Sequence, residues 1–164
     1  MGFSLLTAML FLFSFEAKAQ DPPPSGGFKN AYLTLNKSGK VVLTYTLWDQ
    51  QVTKGNYTLA FFWASWSDEA REEVPYIQAI YKKYAGKVKV LGVTYGDEIQ
   101  DSMDAIPEWG MTFPHFVFVE DAEPDGRFEI DSIPTTILFG PDGSIVARDM
   151  KGEEIEKAVV QALK

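Results

Sequence analysis

The chain has 164 residues, 46% of them hydrophobic and 14% aromatic, which is ample for one packed domain and argues against a disordered one. A formal charge of -8 argues against nucleic acid as a partner, because phosphates demand clusters of Lys and Arg, and it opposes adhesion to anionic lipid. The sequence contains no cysteine, so it supplies neither a disulfide nor a thiolate.

Residues 3–15 form an almost unbroken apolar run, shorter than the roughly 20 residues that span a bilayer. Ala17-Lys18-Ala19 follows in the small-x-small pattern of a cleavage site. Residues 1–19 are therefore expected to be a signal peptide with Gln20 as the first mature residue, although no Lys or Arg precedes the apolar run. The expected location is the periplasm or another exported compartment, with no stable membrane span. Such compartments permit disulfides, yet this chain uses none. Residues 20–28, with Pro22, Pro23, Pro24, Gly26 and Gly27, read as a linker, and the folded domain is expected over 29–164.

Two runs rich in β-branched and aromatic residues, 31–35 and 41–45, flank a polar stretch at 36–40 and predict a hairpin. Gly55 breaks the chain before 58–63, a continuous apolar strand of the kind found when both sheet faces are covered. A helix is predicted over 68–84, with Ala70, Val74, Ile77, Tyr81 and Tyr84 on one face. Ser65 or Ser67 can cap its start, Asp68 and Glu69 suit the positive end of its dipole, and Pro75 should kink it. Residues 88–95 predict a second buried strand, 100–109 a shorter helix interrupted by Pro107, and 116–119 another strand. Residues 135–139 and 144–149 around the turn at 140–143 predict a hairpin, and 153–163 a closing amphipathic helix. Strands alternating with helices indicate an α/β sandwich.

Three segments carry a family resemblance. Phe62-Trp63-Ala64-Ser65-Trp66 is followed by Ser67-Asp68-Glu69-Ala70 and then by Glu73 and Pro75. Val90-Leu91-Gly92-Val93 is followed by Trp109-Gly110-Met111-Thr112-Phe113-Pro114. Ser132-Ile133-Pro134-Thr135-Thr136 is followed by Pro141-Asp142-Gly143. In this order, from residue 57 onward, they resemble the exported thioredoxin-like thiol–disulfide oxidoreductases of the TlpA/ResA type, often grouped with AhpC/TSA proteins.

That resemblance implies a thioredoxin-like three-layer α/β/α sandwich with a central mixed sheet, an N-terminal β-hairpin and a TlpA-type central insertion. It implies a cis bond between Ile133 and Pro134, in a loop whose backbone at Ile133 would pair with an extended substrate segment. Ser67 and Ala70 then stand at the positions of the family's cysteine pair, and Glu73 at the position of an acid that assists the thiols. No catalytic residue, cofactor or metal is expected. Disulfide exchange needs thiolate attack and a mixed disulfide, and neither step has an atom to perform it. The peroxidase branch is disfavoured on the same ground.

Other site chemistries are weaker. Ser67 as a nucleophile would need a base and an orienting group, and nothing places His115, the sole histidine, beside it. His115 reads as a strand-edge or partly buried residue. The acidic run at 120–125 lacks the alternating ligands and closing glutamate of a calcium loop and reads as solvated. Trp63 is expected in the core and Trp66 at the surface. Trp66, Ile133 and Pro134 form the candidate binding patch for an extended peptide or protein client. The expected function is a redox-inactive binding, chaperone-like or scaffold module. The alternative is an oxidoreductase by lineage that works only with a cysteine-bearing partner.

Overall fold

The computed structural model describes residues 29–52, 55–118 and 128–164; the expected signal peptide and linker (1–28) and the acidic run at 120–125 lie outside them. A mixed seven-stranded sheet forms the middle layer. Its strands are β1 (Lys29–Leu35), β2 (Val41–Leu47), β3 (Tyr57–Trp63), β4 (Val88–Tyr95), β5 (His115–Phe118), β6 (Thr135–Phe139) and β7 (Ile145–Arg148), in the spatial order β2-β1-β5-β4-β3-β6-β7. The central strands β3, β4 and β5 run parallel, whereas β1, β2, β6 and β7 pair antiparallel with their neighbours. The helices are α1 (Trp48–Val52), α2 (Asp68–Lys83), α3 (Ile99–Glu108) and α4 (Glu153–Ala162).

The period of two along β3 sorts its side chains into two cores. Leu59, Phe61 and Trp63 point to one face, where they pack with Ala70, Val74, Ile77 and Ile80 of α2, Ile106 of α3 and Ile155 and Val159 of α4. Ala60 and Phe62 point to the other, against Trp48 and Val52 of α1, Phe116, Phe128 and Ile137. Both faces are dry, which is why this strand is apolar at every position from Leu59 to Trp63. Lys83 and Tyr84, at the end of α2, both reach Glu156 and fasten α2 to α4.

The sandwich and both hairpins match expectation, and the Ile133–Pro134 bond is cis. Several details differ. The short helix α1 has no counterpart in the sequence reading, because five residues are too few to show a helical period. On α2 the fourth buried position is Ile80, while Tyr81 and Tyr84 pack half-buried at the margin, their hydroxyls favouring the wet boundary. Pro107 does not interrupt its helix but lies inside a continuous α3. His115 is neither at an edge nor partly exposed. It opens β5, an interior strand between β1 and β4, and is only 1% exposed.

Candidate functional site

The carboxyl ends of β3 and β4 and the amino end of β6 meet at one end of the sheet. Trp63 closes β3 opposite Thr94, and Phe62 lies opposite Thr135, so the register carries Pro134 to the side of Trp63. Between β3 and α2 the chain makes a turn in which the Ser67 amide donates to the Ala64 carbonyl. Ser67 then sits at the N-cap of α2 with extended backbone, and its Oγ accepts the Ala70 amide at 3.1 Å. The side chain is buried, and its own O–H points to Glu69 Oε2 at 3.5 Å. His115 is not among its partners, being engaged by Trp63, and Ser67 has a capping geometry.

Ala70 is fully buried in the core under the first turn of α2. Glu73, one turn further, accepts the Gly152 amide at 2.8 Å through Oε2. Gly152 precedes α4 with a φ of 53°, a left-handed conformation that suits glycine. The acid therefore holds the start of α4.

Asp97 stands in no sequence motif, yet it organises this turn. Its carboxylate accepts the Ser65 amide at 2.8 Å, the Ser65 hydroxyl at 2.8 Å and the buried Ser102 hydroxyl at 3.0 Å. Ser65 thus does not cap α2 but ties its entry turn to the loop between β4 and α3. Trp66 adds a second tie, its indole N–H donating to the Gly96 carbonyl at 3.1 Å. The residue remains 64% exposed. An exposed aromatic with a fixed hydrogen bond has lost most of its rotamer freedom before any partner arrives, which lowers the cost of binding.

At the same end of the sheet, Ile133 is half-buried and Pro134 is buried, so of these two the accessible group is Ile133. No backbone hydrogen bond among the described residues engages Ile133, whereas the Ser132 carbonyl is taken by the Thr135 hydroxyl at 2.7 Å. Trp66 and the free backbone at Ile133 thus share one end of the sheet. Among the described residues no group of three His, Asp or Glu side chains could hold a metal ion, and no helix is long and apolar enough to cross a membrane.

Behind this surface, the Trp63 indole N–H donates to His115 Nδ1 at 3.1 Å. Nδ1 is therefore the acceptor, and the neutral ring carries its proton on Nε2, which has no partner among the described residues. Burial pushes the His115 pKa down to about 3. The ring stacks on Phe113 at 4.7 Å and lies over Gly92, where a Cβ would come within 1.9 Å of Nδ1. Gly92 is a glycine because the imidazole occupies its side-chain space.

A thioredoxin-like family model matches residues 55–145. Over 94 residues the chain is 27% identical to the thiol-disulfide oxidoreductase ResA of Bacillus subtilis, covering 57% of this chain and 52% of that protein. Over 98 residues it is 28% identical to the thioredoxin-like protein YneN of the same organism, covering 58% and 56%. The chain thus spans about half the length of the curated relatives it matches. Among solved structures it is similar to the thioredoxin domain of a thiol-disulfide oxidoreductase from Bacteroides vulgatus, with a TM-score of 0.66 at 23% identity over 84% of this chain and 97% of the other. Similarity to StoA from Bacillus subtilis gives a TM-score of 0.57 at 22% identity over 82% and 99%. At these identities the structural matches establish the fold.

Proposed function

The chain belongs to the thioredoxin-like family, among its TlpA/ResA-type members, and from that premise we propose that it is a redox-inactive member acting as a binding, chaperone-like or scaffold module. One observation carries this reading. Where disulfide exchange needs two sulfurs, Ser67 supplies a helix cap and Ala70 a buried methyl, in a chain with no cysteine. Glu73, which the resemblance aligns with an acid that assists thiols, is engaged by Gly152. The rest of the frame remains usable as a surface. Trp66 is a held aromatic anchor, and Ile133 offers unpaired backbone to an extended peptide or client, with Pro134 packed behind it. Export to the periplasm or beyond belongs to the same reading and rests on residues 1–19.

The test has two arms. Purified protein should reduce insulin no faster than a no-protein control in the presence of thiol, and turnover by this chain alone overturns the proposal. Extended peptides should bind, and Trp66→Ala should weaken them. A second reading, favoured by the thiol-disulfide oxidoreductases among its relatives, is action through a cysteine-bearing partner. It requires that a cysteine-bearing thioredoxin-type protein reduce insulin faster with this chain than without it.

A further inference from the structure

Resting on the binding reading above, we infer that the segment received beside Trp66 is basic: an extended stretch with Lys or Arg flanking the residue that meets the indole. The loops at this end of the sheet each carry acids that no cation among the described residues neutralises. Asp68 and Glu69 follow Trp66 in the first turn of α2, Asp97 and Glu98 lie on the loop to which Trp66 is tied, and Asp131 stands two residues before Ile133. Asp68, Glu69, Glu98 and Asp131 are exposed, and none of the five has an ion-pair partner among the described residues.

Two arginines of the adjoining elements are already engaged. Arg71 pairs with Glu108 at 3.3 Å and lies over Trp109 at 5.8 Å, and Arg148 pairs with Asp149 at 3.1 Å. A helix N-terminus ordinarily attracts an anion. Here the Ser67 hydroxyl holds the Ala70 amide, and two carboxylates already complement the dipole, so an anionic segment meets repulsion. A basic segment gains twice. Its cations are steered toward the carboxylates, and one of them can lie over the exposed indole face. The backbone at Ile133 supplies the sequence-independent part of the contact.

A display library of random peptides, each about nine residues long, panned against the purified protein and against its Trp66→Ala variant (checked for folding by circular dichroism), separates the possibilities. Peptides enriched on the parent over the variant should carry an excess of Lys and Arg. Replacing those cations by Gln should weaken binding by about tenfold at low salt, with the gap narrowing at about 0.5 M salt as the charges are screened. Asp68→Asn combined with Glu69→Gln should shrink the same gap. Enriched peptides with no cationic excess, or a gap indifferent to salt and to the two acids, overturn this inference and leave the binding surface standing. If no peptide is enriched over Trp66→Ala, both fall.

Discussion

Replacing Asp97 by alanine should unlock the entry to α2. One carboxylate accepts hydrogen bonds at 2.8, 2.8 and 3.0 Å from two groups of Ser65 and one of Ser102. Hydrogen bonds to an ionised group are worth about 1.5–3 kcal/mol each, but three to one acceptor do not add. Ser65 is half-buried and regains water when the carboxylate leaves, whereas the Ser102 hydroxyl is fully buried and is stranded at a cost of about 1–3 kcal/mol. The expected loss is therefore about 3 kcal/mol, a large share of the roughly 5–15 kcal/mol that holds a domain together. Urea unfolding followed by far-UV circular dichroism measures it. The double variant Asp97→Ala with Ser102→Ala should be no less stable than Asp97→Ala alone, since it removes the stranded hydroxyl. A loss below about 0.5 kcal/mol for Asp97→Ala, or simple additivity in the double variant, would refute the network.

Ser67→Cys with Ala70→Cys should form a bridge spontaneously, because the cap geometry brings these residues within the Cα separation of about 7 Å that disulfides tolerate. The reduced variant should be less stable than the parent, having lost a cap worth about 1 kcal/mol and gained a sulfur in a full core. Closing so short a loop should return about 2 kcal/mol, read as a higher Tm in the oxidised form; two free thiols after oxidation would show that the turn has a different shape. His115 is depressed in the folded chain and ordinary in the unfolded one, so below pH about 6.5 the unfolded state binds the extra proton. Its contribution is complete above that pH and falls by up to about 1.4 kcal/mol per unit toward pH 3. His115→Leu should be less stable at pH 7, because the Trp63 indole N–H loses its acceptor, yet should unfold in acid with a shallower slope; an unchanged slope contradicts the assignment. Glu73→Ala should cost about 1 kcal/mol in thermal unfolding, with Glu73→Gln retaining most of it, because Gly152 needs an acceptor and not a charge. Equal losses in the two variants would mean that the carboxylate charge itself matters.

Much of the frame was legible because it is written in short-range patterns. The unbroken apolar run of β3 reports a strand covered on both faces, and the place of Asp68 and Glu69 in the first turn of α2 is readable from the helix dipole alone. The exposure of Trp66 and the burial of Trp63 also followed from position. The choice between Ser65 and Ser67 as cap did not, since both offer an oxygen at suitable spacing. It was decided by Asp97, 32 residues away, which claims Ser65 once β4 lies beside β3. His115 was misplaced for a similar reason. Its burial depends on the absent side chain of Gly92 and on the Trp63 indole, 52 residues distant, and no local period encodes either.

The sequence by itself determined that this chain has no thiol to offer and that its strands and helices follow the order of the thioredoxin-like family. Composition is absolute and periodicity is local, so neither waits for the chain to close. Only the tertiary structure decided which partners the polar groups around the start of α2 meet. Glu73 meets Gly152 from 79 residues away, and Asp97 meets Ser65 across parallel strands. Partners of polar groups are chosen by which loops the sheet brings together, and that choice exists only after the hydrophobic layers have packed.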